Sequence, residues 1–278
     1  MRTRIPKTLK MYVGGRFIRS ESGRVLAATS HTGDAMYVCT ASRKDLKNAI
    51  QTARGATRSW AGKTAYNRGQ ILYRLAEMID DRATVLTCSD EDAGQAADRA
   101  VHHAGWTDKL GAILAAVNPV ATGHINYAHL RPTGIVVACP NAAHGLTGLV
   151  EATCAALVPG NTVIVLVPSA MAELATQFAE MLATSDVPSG VVNVLTGDVA
   201  DVLQWADKHD DVDIIYVAEG ALTELRVNET RAAAARVMRR IVEVDGAVAA
   251  DALTLQAMSE VQTVWISSSK GGAGEQAY

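Results

Sequence analysis

The sequence predicts an α/β protein: a doubly wound, Rossmann-like parallel sheet with an added antiparallel ribbon. Three observations carry this. Apolar runs rich in β-branched residues, Gly134-Ile-Val-Val-Ala-Cys139 and Thr162-Val-Ile-Val-Leu-Val167 among them, have the pattern of strands buried on both faces. Such runs alternate with helix-length segments, which calls for parallel strands joined by right-handed crossovers. Residues 123–131 instead alternate polar and apolar side chains up to Pro132, as a protruding β-ribbon does.

With 278 residues, 49% hydrophobic and 20% charged, the chain can bury the core of one large or two modest domains. A net charge of -3 with scattered Lys and Arg provides no basic footprint for nucleic acid or an anionic membrane. Cys39, Cys88, Cys139 and Cys154 show neither CxxC nor His-paired spacing, which points away from a metal site or disulfide framework and toward reduced thiols. The basic N-terminus lacks an apolar core of signal-peptide length, and no run approaches the ~18 apolar residues of a membrane span. A cytoplasmic protein is expected.

Taken in order, residues 10–19 alternate around Gly14-Gly15 and predict a tight surface hairpin. In 43–60, Ala49, Ile50, Ala53 and Ala56 fall at helical spacing, and in 67–79 Ile71, Leu72, Leu75, Met78 and Ile79 repeat the pattern. An Ala-rich helix is predicted over 90–109. A strand at 134–139, a helix at 146–157 and a strand at 162–167 form a β-α-β unit. A helix at 172–184, a strand at 191–195, a helix at 199–208 and a strand at 212–217 extend it. A long helix from 221 to 240 and a short strand at 241–244 follow. A connector at 251–258 leads to 261–266, which alternates in strand fashion, and the Ser- and Gly-rich tail is predicted to be disordered.

Several of these segments occur in the order found in aldehyde dehydrogenases. Tyr12-Val-Gly-Gly15, the helix pair from Trp60 through Arg68 to Leu75-Ala-Glu77, Ala104-Gly-Trp-Thr-Asp-Lys109 and Gly160-Asn-Thr-Val163 together resemble that family from about residue 11 to 267. The combination of Val137-Ala-Cys-Pro140 with Val167-Pro-Ser169 is similar to the cysteine-deficient second module of the family 16 aldehyde dehydrogenases. The resemblance implies a cofactor-binding fold and a chemistry with four parts: a cysteine thiolate, an amide donor for the oxyanion, a carboxylate base, and a nicotinamide that accepts hydride.

The family cysteine lies downstream of a Glu-Leu-Gly-Gly segment. Val242-Glu-Val-Asp-Gly246 is similar to that segment, yet no cysteine follows it. Asn141 is the candidate for the oxyanion amide, although counting back from Gly160-Asn161 places Ala143 at the family position. Glu243 matches the general base. For the cofactor, the resemblance points to Pro168, Ser169, Gly197 and Gly220. The lysine and glutamate that hold the ribose are replaced by Leu166 and Ser169, and Glu219 puts a negative charge where the phosphates would lie. The expectation is therefore no catalytic set, with Glu243 and Asn141 as vestiges, no metal, and no firm cofactor beyond possible NAD or NADP.

Beyond residue 247 the family continues into a catalytic domain, whereas this chain passes to Gln262-Thr-Val-Trp-Ile266, similar to the family's terminal strand. That ending reads as composed rather than randomly cut, with the catalytic domain absent. The resemblance assigns 1–122 and 132–250 to the Rossmann-like unit, 123–131 and 259–268 to an oligomerisation ribbon with its C-terminal strand, and 269–278 to the disordered tail. In the family, ribbon and terminal strand pair and add to a neighbour's sheet; alternatively the strand closes only this subunit's own sheet. Two functions follow: a non-catalytic subunit that assembles with itself or with a full-length aldehyde dehydrogenase, or an NAD(P)-binding oxidoreductase component.

Overall fold

The computed structural model describes residues 5–121, 123–244 and 252–267. The chain runs β1 (Lys7–Leu9), β2 (Met11–Val13), β3 (Arg16–Ile18), β4 (Val25–Thr29), β5 (Ala35–Cys39), α1 (Arg43–Ala61), α2 (Ala65–Arg82), α3 (Asp90–Leu114), β6 (Ala116–Asn118), β7 (His124–Pro132), β8 (Ile135–Cys139), α4 (Gly145–Leu157), β9 (Thr162–Pro168), α5 (Ala172–Thr184), β10 (Val192–Gly197), α6 (Val199–Ala206), β11 (Ile214–Ala218), α7 (Glu224–Val237), β12 (Arg240–Val244), α8 (Ala252–Ala257) and β13 (Ser259–Ser267).

Helix starts follow from local chemistry. Ser42 and Asp45 form a reciprocal capping box at α1. Ser89 caps α3, whose first turn carries Asp90, Glu91 and Asp92 against the positive end of the helix dipole. Thr64, Asp198 and Thr223 cap α2, α6 and α7 with their side-chain oxygens.

The main sheet has seven strands in the order β12-β11-β8-β9-β10-β2-β3. Strands β8 to β12 are mutually parallel where they pair, and β2 joins β10 antiparallel. Helices α4 and α5 cover one face and α1 and α6 the other, with α2 and α3 layered outside α4 and α5. Alternate residues of β9 therefore enter different cores. Val163 and Val165 pack with Leu149 and Phe178, while Ile164 and Leu166 pack with Leu46, Ile50 and Leu203. Each such buried aliphatic side chain contributes roughly 1.5–3 kcal/mol.

The Gly14-Gly15 hairpin forms with both glycines at positive φ, 62° and 73°, the conformation a two-residue primed turn requires. It is not a surface appendage, because Met11, Tyr12 and Val13 are all buried and β2 extends the main sheet. Two features lie outside the sequence expectation: the small sheet β1-β5-β4, and β6, which gives the ribbon sheet the order β13-β7-β6.

The C-terminal segment folds back on its own chain. β13 pairs antiparallel with β7 along its whole length, from Ser259 opposite Pro132 to Ser267 opposite His124. Buried Asn161 ties this segment to the sheet: its Oδ1 accepts from Gly134 N (2.9 Å) and its Nδ2 donates to Met258 O (2.8 Å). Arg240 adds bonds from Nη1 to Ala257 O (2.9 Å) and Ser259 O (2.8 Å). Residues 269–278, for which disorder is expected, lie outside the described residues.

Replacing Asn161 with Ala orphans the buried Gly134 N–H and leaves Met258 O with only the Thr133 hydroxyl as donor. Asn161→Ala is expected to destabilise the chain by about 3 kcal/mol, read as a lower urea midpoint with an unchanged m-value.

Candidate functional site

Strand order reverses beside β8: the chain steps outward through β9 to β10, then crosses back to β11 and β12. Doubly wound folds bind ligands beyond the carboxyl ends of the strands at such a reversal. Here that place is a crevice of about 610 Å3. Asn141 reaches it from the loop after β8, Pro168 and Ser169 from the end of β9, Gly197 from β10 and Gly220 from the turn after β11. The structure thus brings five of the six candidate site residues to one place. Glu243 is not among those lining it.

Glu243 lies on the edge strand β12 opposite Val217. Its carboxylate is engaged by Arg231 of α7, with Nε to Oε1 at 2.8 Å and Nη2 to Oε2 at 2.6 Å. Both side chains are solvent-exposed. This is a bidentate surface pair.

The Asn141 carboxamide is used at both ends. Its Nδ2 donates to Glu219 O (2.7 Å), and its Oδ1 accepts from Ala143 N (2.9 Å) and so starts the 3-10 turn before α4. An oxyanion donor must aim an N–H at the reacting oxygen, and the position of this amide is fixed by its two loop contacts. This amide is instead a strut between the loops after β8 and β11.

The two glycines have structural reasons to be glycine. Gly220 has φ of 74°, and a Cβ there would stand 2.8 Å from Asn141 Nδ2. A Cβ on Gly197 would press within 3.2 Å of Ala41 N, where the segment after β5 crosses and Ala41 N donates to Thr196 O (2.8 Å).

Two backbone donors of the turn after β11 are also occupied. Glu219 N donates to Val244 O (2.8 Å) and Ala221 N to Ala218 O (3.0 Å). At the start of α6, the Asp198 carboxylate accepts from Asp201 N (3.1 Å), placing negative charge on the helix end that would otherwise attract an anion. Arg226, the cation lining the crevice, is paired with Asp207 and Glu229. Leu166, at the position of the family's ribose-binding lysine, is 1% exposed in the core beneath α1 and α6. The residues present do not fit the pyrophosphate and ribose of a dinucleotide, although the crevice itself is retained.

Three of the four cysteines have their thiols pushed away from the thiolate form. Burial pushes the Cys139 thiol up to about 12, and burial together with the Asp92 carboxylate pushes Cys88 up to about 11. Burial likewise raises Cys154, and Cys39 is buried. Among the described residues no group of three or more His, Cys, Asp or Glu could hold a metal, and no helix is long and apolar enough to cross a membrane.

Sequence reasoning did not find Leu26 and Thr40, which line the crevice from the N-terminal segment, nor the Asn141–Glu219 strut. The strut joins residues 78 apart, and no local pattern signals such a contact.

A parallel α/β sheet, helices on both faces and a crevice at the strand reversal define a protein of the dinucleotide-binding architecture. Residues 17–260 match the model of the aldehyde dehydrogenase family, and the chain belongs to that family. A putative aldehyde dehydrogenase, DhaS, of Bacillus subtilis is 27% identical over 266 residues, spanning 88% of this chain and 52% of the relative. Cytosolic 10-formyltetrahydrofolate dehydrogenase of Pongo abelii is 28% identical over 228 residues, 75% of this chain and 25% of that protein. The NAD+ complex of an aldehyde dehydrogenase from Bacillus cereus superposes with a TM-score of 0.79 at 22% identity, over 86% of this chain and 51% of that one. An NADP-dependent enzyme of E. coli gives 0.78 at 19%, covering 86% and 52%. The chain therefore spans about half the length of DhaS and of these two structures, and a quarter of the formyltetrahydrofolate enzyme.

Two outcomes check the site. Restoring the family lysine with Leu166→Lys buries an ammonium in an apolar core and is expected to cost on the order of 3 kcal/mol or more in a urea melt, with no gain in NAD affinity. Thiol labelling of the native chain at pH 7 is expected to leave Cys39, Cys139 and Cys154 unmodified. Cys88 should react slowly, at a rate that climbs steadily with pH toward 11, and all four should react rapidly in urea.

Proposed function

We propose that this chain is a non-catalytic aldehyde dehydrogenase-like subunit whose role is assembly, with itself or with a full-length aldehyde dehydrogenase that it supports or regulates. The observation that carries the reading is that none of the four cysteines lines the crevice, while burial raises the thiols of Cys88, Cys139 and Cys154. Without a thiolate no acyl-enzyme forms, and a base such as Glu243 has nothing to deacylate. Assembly is supported by the ribbon: β13 is an edge strand, it offers its main chain to further pairing, and it exposes Val261, Trp265 and Ile266.

A second reading, an NAD(P)-binding component that lends its crevice to a partner, is favoured by the retention of that crevice at the strand reversal. It is weakened by the occupied amides and by Leu166.

The purified chain mixed with short aliphatic aldehydes and NAD or NADP is expected to produce no reduced cofactor above the buffer rate. Production proportional to protein concentration would sink the first reading. Light scattering should find the chain in an oligomer, alone or with a co-expressed full-length aldehyde dehydrogenase. Trp265→Asp should shift it toward monomer without lowering its melting temperature, whereas a strictly monomeric wild type under both conditions would remove assembly as the role.

A further inference from the structure

We propose that the base of the ribbon is a binding site for a phosphate ester. A cavity of about 930 Å3 lies where the end of α1, the start of α2, strand β7 and Pro159 meet. Arg58, Arg68, His129 and Arg131 line it. The one carboxylate on its wall, Glu260, is already paired with Arg240 Nη2 at 2.8 Å, so the lining carries uncompensated positive charge.

Two nitrogens among these residues are buried and have no hydrogen-bond partner. Arg68 Nη1 donates to Lys63 O (2.7 Å), but its Nε has no partner, and neither has His129 Nδ1. A buried donor left unpaired bears its full desolvation penalty, and native structures satisfy such groups with protein, water or ligand. Arg68 Nε is such a donor, and its guanidinium is one of the groups lining this basic cavity. Burial also pulls the Arg68 pKa below the usual guanidinium value, as expected of a cation without a counter-charge.

The surroundings suit an anion. The first turn of α2 contains no acidic residue and presents the positive end of the helix dipole. At the end of α1, the carbonyls of Arg58 and Trp60 are taken by Gly62 N and Lys63 N (both 3.1 Å) and so are not open lone pairs facing the ligand. Arg131 Nη1 is steadied by Gln262 Oε1 at 2.8 Å. Guanidinium groups in this number match the charge and fork geometry of a phosphate better than a single carboxylate. The cavity is also far larger than a bare phosphate, leaving room for the organic group of an ester. Because Arg58 and Arg68 sit on the helices while His129 and Arg131 sit on β7, a bound phosphate would bridge the ribbon to the helical layer.

The test is isothermal titration of the chain with sodium phosphate as the probe, ionic strength held constant with sodium chloride. Saturable binding at one site is expected. Arg58→Gln combined with Arg131→Gln, both exposed positions, should weaken it at least about tenfold, while Lys at both positions should retain most of the affinity, which separates loss of charge from damage to the fold. Absence of saturable heat in the wild type, or equal affinity in the wild type and the Gln pair, overturns the proposal.

Discussion

The buried carboxamide of Asn161 is the joint on which the two sheets of this molecule depend. One side chain, 0% exposed, accepts from the backbone at the start of β8 and donates to the backbone just before β13. The central parallel sheet and the ribbon sheet meet there, and neither Gly134 N nor Met258 O is left unsatisfied in the interior. Thr133 and Arg240 reinforce the same joint, with Thr133 Oγ1 also donating to Met258 O (3.1 Å). The C-terminal segment is thereby held in register against β7, whatever else its outer edge then meets.

At the opposite end of the parallel strands the same kind of bonding has a different consequence. There the carboxyl ends converge on a crevice that in related folds takes a dinucleotide, but the groups that would greet the ligand are bonded to one another. Asn141 is a strut to Glu219, the amides of Glu219 and Ala221 close local contacts, and Asp198 occupies the start of α6. Each bond is individually modest, about 1 kcal/mol. Together they make the crevice a satisfied surface, stable without a ligand and poorly matched to a pyrophosphate.

Much of the fold could be read from the residues because buried parallel strands leave a simple trace. The run from Thr162 through Val167 has no polar face, and a helix-length segment, 172–184, separates it from the next such run; β9 and α5 form there. The small strands β4 and β6 leave little trace because residues such as Val25, Leu26 and Val117 are exposed on short edge strands, where neither alternation nor burial is imposed, while β1 and β5 depend on a parallel pairing between separated segments. Gly14-Gly15 gave the turn but not its location, since joining β10 depends on a pairing across the chain. At the crevice, the replacements Leu166 and Ser169 were visible by counting from Gly160. The engagement of Asn141 was not, because its two partners are set by tertiary approach and a residue's letter does not reveal which of its donors are already used.

The central claim is that this family scaffold has turned its cofactor-facing groups inward, and titration calorimetry with NAD and NADP up to millimolar concentration addresses it most directly. No saturable heat and no accompanying rise in melting temperature are expected. Micromolar, saturable binding of either dinucleotide, displaced by its reduced form, would contradict the claim, because the amides and carboxylates now bonded to one another would have to be facing the ligand.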